Sequence, residues 1–184
     1  PSDAVPLYAH HEATESRSAP EPSMDVCWYV AHVRPRCEKK LAEFCQREAF
    51  EFTLPLYRSV KRYRGKKVEF QKPLFPGYVF LKVSPESAPK LRQNQHVANL
   101  LEPPDQGEFE QQLGDILRAL DSEVEVRLAP QIVEGQRVRI KYGPLRGLEA
   151  VVIERSGALE VHLRLDFIGQ AAALHLTADE LEPI

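Results

Sequence analysis

Nucleophiles, metal ligands and phosphate cradles are the groupings through which a sequence announces chemistry, and this chain is poor in all three. His10 and His11 stand together in a polar, aperiodic stretch, while His96, His162 and His175 are isolated. Isolated histidines are more often surface or satisfied core residues than ligands. Cys27, Cys37 and Cys45 are odd in number and include no C-x-x-C pair, so they suggest neither a disulfide framework nor a zinc set and read as reduced, buried thiols. Gly65-Lys66 lacks the spacing and the Ser/Thr of a P-loop, and neither G-x-S-x-G nor H-E-x-x-H occurs. No enzyme, catalytic residue, metal site or cofactor is therefore expected, and what remains is recognition chemistry. Two adjacent stretches supply it. KPLFPGYVFLKV (Lys72 to Val83) sets Phe75, Tyr78 and Phe80 around a Pro-Gly pair, and just before it Arg58, Lys61, Arg62, Arg64, Lys66 and Lys67 surround Gly65. Aromatic anchors suit an apolar partner, and clustered cations suit phosphates.

The elements that must position these residues follow from periodicity. DVCWYVAHV (25–33) is rich in β-formers and reads as a strand ending at Arg34-Pro35. Cys37, Leu41, Phe44 and Cys45 then fall on one helical face. FEFTLPLYRSVKRYRGKKVEFQ is extended chain reversing at Gly65, a basic hairpin or loop. In the aromatic strand, alternation sends Val79, Leu81 and Val83 one way and Tyr78 and Phe80 the other. One face is core; the other must be covered, by this chain or by a partner. A short helix near 87–95, a strand over 97–101 and an amphipathic helix from Phe109 through Leu113, Ile116, Leu117 and Leu120 complete this region.

Charge is segregated along the chain. Residues 34–72 hold twelve Lys and Arg against five Asp and Glu, residues 101–126 one against eight, so a net charge of −3 conceals a basic block suited to nucleic acid. Residues 1–24, rich in Pro, Ser, Ala and Glu, read as a disordered tail. Residues 25–121 form a mixed α/β domain with an antiparallel sheet, and EVEVRLAPQ, without a helical stripe, marks a linker at 122–131. Residues 132–184 read as five short strands, 136–141, 150–154, 159–165, 171–176 and 180–181, closing into a small barrel. The fold class is thus α+β. No run approaches a membrane span or a signal peptide's apolar segment, so a cytoplasmic monomer is expected.

WYVAHVRPRCEKKLAEF, PLFPGYVFLKV, GQRVRIKYGPLRGLEAVVIE and LDFIGQAAALHL follow one another in the order and spacing of the NusG family of transcription elongation factors, which the chain resembles from about Asp25 to its C-terminus. The resemblance implies an N-terminal NusG domain followed by a KOW domain, an SH3-like five-stranded barrel. It implies RNA polymerase as partner, bound at its clamp helices, and a role in elongation, pausing or termination, with antitermination as the main expectation. Phe75, Tyr78 and Phe80 match the polymerase-facing motif, and Val30 and His32 extend it. Arg34, with the six basic residues around Gly65, is the surface expected for nucleic acid, such as non-template DNA in the transcription bubble. Leu145, Leu148, Phe167 and Ile168 match apolar tips through which relatives meet the termination factor Rho or a small-subunit ribosomal protein. Ala150 stands where the family usually has glycine, Leu145 where it has a large aromatic, and Gln170 where an Arg often follows the glycine, departures that bear on those two partners. RYRGKK resembles specialised RfaH-like paralogues at least as much as the housekeeping member. A KOW-containing nucleic-acid-binding or ribosome-associated protein is the alternative.

Overall fold

The computed structural model describes residues 8–11, 25–129, 135–155 and 158–184. In chain order these form β1 (Tyr8–His11), β2 (Cys27–Val33), α1 (Glu38–Arg47), β3 (Glu51–Tyr63), β4 (Lys66–Pro73), β5 (Tyr78–Val83), α2 (Ala88–Arg92), β6 (Val97–Leu101), α3 (Gln106–Asp121), β7 (Val126–Ala129), β8 (Gln136–Ile140), β9 (Glu149–Arg155), β10 (Ala158–Leu165), β11 (Gln170–Leu174) and β12 (Leu181–Pro183). The first six strands make one sheet, ordered β1-β3-β5-β2-β6 with β4 paired to β3, and the last six make another, ordered β12-β8-β9-β10-β11-β7. The fold is mixed α and β with antiparallel ladders. By packing the chain divides into two compact units: residues 8–54 with 75–106, and, among described residues, 55–74 with 107–184.

In the first unit β2 and β5 form the centre, with Cys27 opposite Val83 and His32 opposite Tyr78. Trp28, Tyr29, Val30 and Ala31 are consecutive and all buried, as expected of a strand covered on both faces. Helix α1 packs on β5, and its buried residues Leu41, Ala42 and Cys45 recur at near-helical spacing. The helix ends with Ala49 in the left-handed region (φ 56), and the Phe50 N–H donates to the Cys45 carbonyl at 2.9 Å. Burial pushes the Cys45 thiol up to about 12, whereas Cys27 and Cys37 are half-buried, so one cysteine rather than three is sequestered. Where β6 stops at Leu101, the Gln106 side chain continues the ladder. Its Oε1 accepts the Trp28 N–H at 2.5 Å and its Nε2 donates to the Trp28 carbonyl at 3.0 Å. Pro103, lacking an N–H, could not.

The second unit differs from the sequence expectation in three ways, the first being that residues 55–74, expected in the first domain, are grouped with it. Val126–Ala129, expected to be part of a linker, form β7 and pair antiparallel with β11, Val126 opposite Leu174 and Ala171 opposite Ala129. The physical reason is legible afterwards: Val124, Val126 and Leu128 alternate with Glu125 and Arg127, a period of two that marks a strand. The rest of that window from residue 130 lies outside the described residues. Helix α3, expected with the first domain, is grouped from Gly107 with the second sheet. Gln112 donates to Asp166 Oδ2 at 2.7 Å and accepts the Asp166 N–H at 2.9 Å. Arg118 donates to the carbonyls of Pro144 and Arg146, and Phe109 meets Phe167 edge-on at 6.2 Å. Residues 8–11 also depart from expectation, adding an edge strand to β3 from within the supposed tail.

Candidate binding surfaces

The Pro76-Gly77-Tyr78 corner is held by hydrogen bonds from two elements. Gly77 has φ +88, a left-handed conformation that strains any residue with a Cβ. Its N–H donates to Glu38 Oε1 at 2.8 Å, and its carbonyl accepts the Val33 N–H at 2.8 Å. Glu38 thus joins the first turn of α1 to the start of β5 while almost buried, a position where the helix dipole also favours a carboxylate. On this corner Tyr78 and His32 stack, ring centroids 5.3 Å apart and planes at 29°. The β2–β6 register shifts between His32 and Val33, a bulge of the kind that re-aims a side chain. His32 and its partner Asn99 are exposed, and Tyr78 is half-buried.

The five residues expected to face a polymerase therefore separate. Phe80 and Val30 are 0% exposed and Phe75 is 1% exposed; Phe75 meets Phe80 edge-on at 6.1 Å. The expected open face shared by Tyr78 and Phe80 is corrected: strand parity is kept, but the chain itself covers that face at Phe80. What reaches solvent is the Tyr78–His32 stack.

The basic stretch is a two-stranded ribbon. β3 and β4 pair from Leu56 opposite Pro73 to Tyr63 opposite Lys66 with an unbroken register, so the connection is the two residues Arg64 and Gly65. Both have positive φ, 47 and 80, the requirement of a type I′ hairpin turn. Arg34, Arg58, Lys61, Arg62, Arg64, Lys66 and Lys67 are all exposed. The register divides the basic set of the ribbon: Arg58, Arg62 and Lys67 lie on one side with Glu69, whereas Lys61 and Lys66 lie on the other with Tyr57, Tyr63 and Phe70.

In the second sheet, Gly143 (φ 81) and Gly147 (φ 90) bend the β8–β9 loop so that the Gly147 N–H donates to the Ile140 carbonyl at 2.8 Å. The bend turns Leu145 inward, leaving it 1% exposed, with Leu148 at 6%. These two expected tip residues are core, a second correction, because the loop closes back on its own ladder. Phe167 and Ile168 are half-buried. Among the described residues no cluster of His, Cys, Asp or Glu is arranged to hold a metal ion, and no helix is long and apolar enough to cross a membrane.

Residues 26–115 match the family model described as "Transcription termination factor nusG". Residues 26–115, just under half of the chain, are a NusG-family domain. Factors of that family act in transcription, are not enzymes and generally bind RNA polymerase. No curated protein matches it. The matched segment includes both the Tyr78–His32 corner and the β3–β4 ribbon. Reasoning from sequence missed Glu38 and Gln106 as backbone partners, for which side-chain reach gives no sequence signal. It also missed Tyr57, Tyr63 and Phe70 as one surface, although counting outward from the Arg64-Gly65 turn would have paired them.

Proposed function

We propose that the NusG domain docks on the clamp helices of RNA polymerase through the Tyr78–His32 corner and modulates elongation, pausing or termination, acting as an antiterminator. The observation that supports this most is an exposed ring stack on a rigid corner: the stack follows, on the same face, the fully buried Val30–Phe80 pair, and its corner is held by the Glu38–Gly77 hydrogen bond. Pre-organised aromatic groups lose little entropy on binding and are common interface anchors. Phe75, Phe80 and Val30 are then core residues next to the surface, not contacts of it. The exposed β3–β4 ribbon contacts nucleic acid of the transcription bubble. For a further partner, Rho or a small-subunit ribosomal protein, the second sheet offers Phe167 and Ile168, with Leu145 and Leu148 acting only through its core.

The test is retention of the full chain on immobilised RNA polymerase. The double substitution His32→Ala and Tyr78→Ala should weaken binding at least about tenfold, since anchors of this kind are worth about 2 kcal/mol or more, while the melting temperature stays near the parent's. Unchanged retention would move the docking surface elsewhere. Binding by this route should also survive moderate salt, which a phosphate-dependent contact would not.

A further inference from the structure

The two sides of the β3–β4 ribbon differ in kind. Tyr57, Tyr63 and Phe70 share one side with Lys61, Lys66 and Lys72, and no carboxylate is on it. Tyr63 is 70% exposed and Phe70 43%. The register sets a lysine beside every ring: Tyr57 faces Lys72, Tyr63 faces Lys66, and Phe70, opposite the small Ser59, lies diagonal to Lys61. From Tyr57 to Tyr63 the surface runs about 20 Å at about 3.4 Å per residue. The opposite side carries Arg58, Arg62 and Lys67 around Glu69, without a ring.

We propose that the Tyr57, Phe70 and Tyr63 face binds single-stranded nucleic acid, stacking unpaired bases on its rings and pairing its three lysines with the flanking phosphates. The proposal rests on the nucleic-acid reading of the ribbon given above and adds which face is used and that its rings stack on the bases. The chemistry selects this ligand over others. A duplex keeps its bases stacked on one another and offers the rings nothing, an acidic peptide would use the lysines but not the rings, and an apolar protein surface would have to strip water from three ammonium groups. A strand of unpaired nucleotides presents a π-face and a charge at every repeat, and this ribbon sets a lysine beside each of its rings.

The experiment is fluorescence anisotropy of the full chain with labelled oligothymidine and with a duplex of the same length, over a salt series. The double variant Tyr63→Ala with Phe70→Ala is compared with Arg62→Ala and Lys67→Ala on the other side, melting temperatures confirming that both are folded. The parent should prefer the single strand. The ring variant should lose about tenfold or more in affinity for it, keep its salt slope and lose the preference over duplex; the Arg62/Lys67 variant should weaken both ligands alike and lower the salt slope. If the ring variant binds oligothymidine as the parent does, loses duplex binding equally, or changes only the oligomeric state, the stacking face is wrong while nucleic-acid binding by the ribbon stands. If neither nucleic acid binds the parent, the ribbon's nucleic-acid role fails as well.

Discussion

Two aromatic strand segments lie close in sequence and behave oppositely. In β5, Phe80 is fully buried, with Phe75 edge-on to its ring. In the ribbon, Phe70 sits in an equally regular ladder but is 43% exposed. Both strands obey the same alternation, so alternation does not distinguish them. Place in the ladder order does. β5 is central, flanked by β3 and β2, whereas β4, among the described residues, pairs only with β3, and Phe70 and Tyr63 are exposed. An aromatic residue becomes structural or available according to its place in the ladder order, which is a property of topology and not of local sequence.

The largest effect should come from exchanging ring for methyl at these two positions. Phe80→Ala removes a fully buried ring and should cost about 3–5 kcal/mol of stability, lowering the urea midpoint markedly. Phe70→Ala should change it by less than about 0.5 kcal/mol, as exposed substitutions usually do. Equal costs would break the comparison and mean that the ribbon is covered in solution.

Much of the fold was legible. The aromatic strand, the helix of Leu41 and Cys45, the strand at 97–101 and all five short strands of the second sheet appear within a few residues of their expected positions, because each combines a clear period with Gly or Pro punctuation. The candidate surfaces were legible only in part. Leu145 reads as an exposed tip because it lies between glycines, yet those same glycines let the loop fold it inward. Phe80 reads as available because its parity matches Tyr78, and nothing local reveals a covering layer. β7 was hidden by Pro130, which drew attention from the alternation just before it.

The same contrast of inside and outside applies in the second sheet. Leu145→Ala should cost about 2–5 kcal/mol by leaving a cavity under the β8–β9 loop. Ile168→Ala, half-buried, should cost about 1 kcal/mol or less and leave the native circular dichroism intact. A large loss at Ile168 would place it in the core and withdraw it as a partner contact.

A smaller effect tests a half-buried charge. Burial raises the Asp115 carboxyl above its ordinary 3.8; Arg118 opposes this and Glu149 adds to it. The folded state therefore holds the proton more tightly than the unfolded state. The group's contribution is most favourable below pH 3.8 and is lost as pH rises through the raised folded value. Asp115→Asn should accordingly raise the melting temperature near neutral pH and give no gain below pH 3.8. A gain independent of pH would mean that something other than the buried charge is responsible.

The smallest effect lies at the ribbon's turn and sharpens the comparison without touching either face. Arg64 holds φ 47, a region where a side chain such as arginine costs about 1–2 kcal/mol and asparagine less, since its short amide bonds locally. Asn-Gly is also the pair most favoured in a type I′ turn. Arg64→Asn should therefore stabilise the ribbon by a few tenths to about 1 kcal/mol, seen as slower amide exchange in β3 and β4 with little change in global melting. If the ribbon binds nucleic acid, the lost charge should lower the salt slope by about one unit at most, and the preference for single strand, which belongs to the rings, should persist. A ribbon that exchanges faster after this substitution would show that Arg64 makes a contact worth more than its backbone strain.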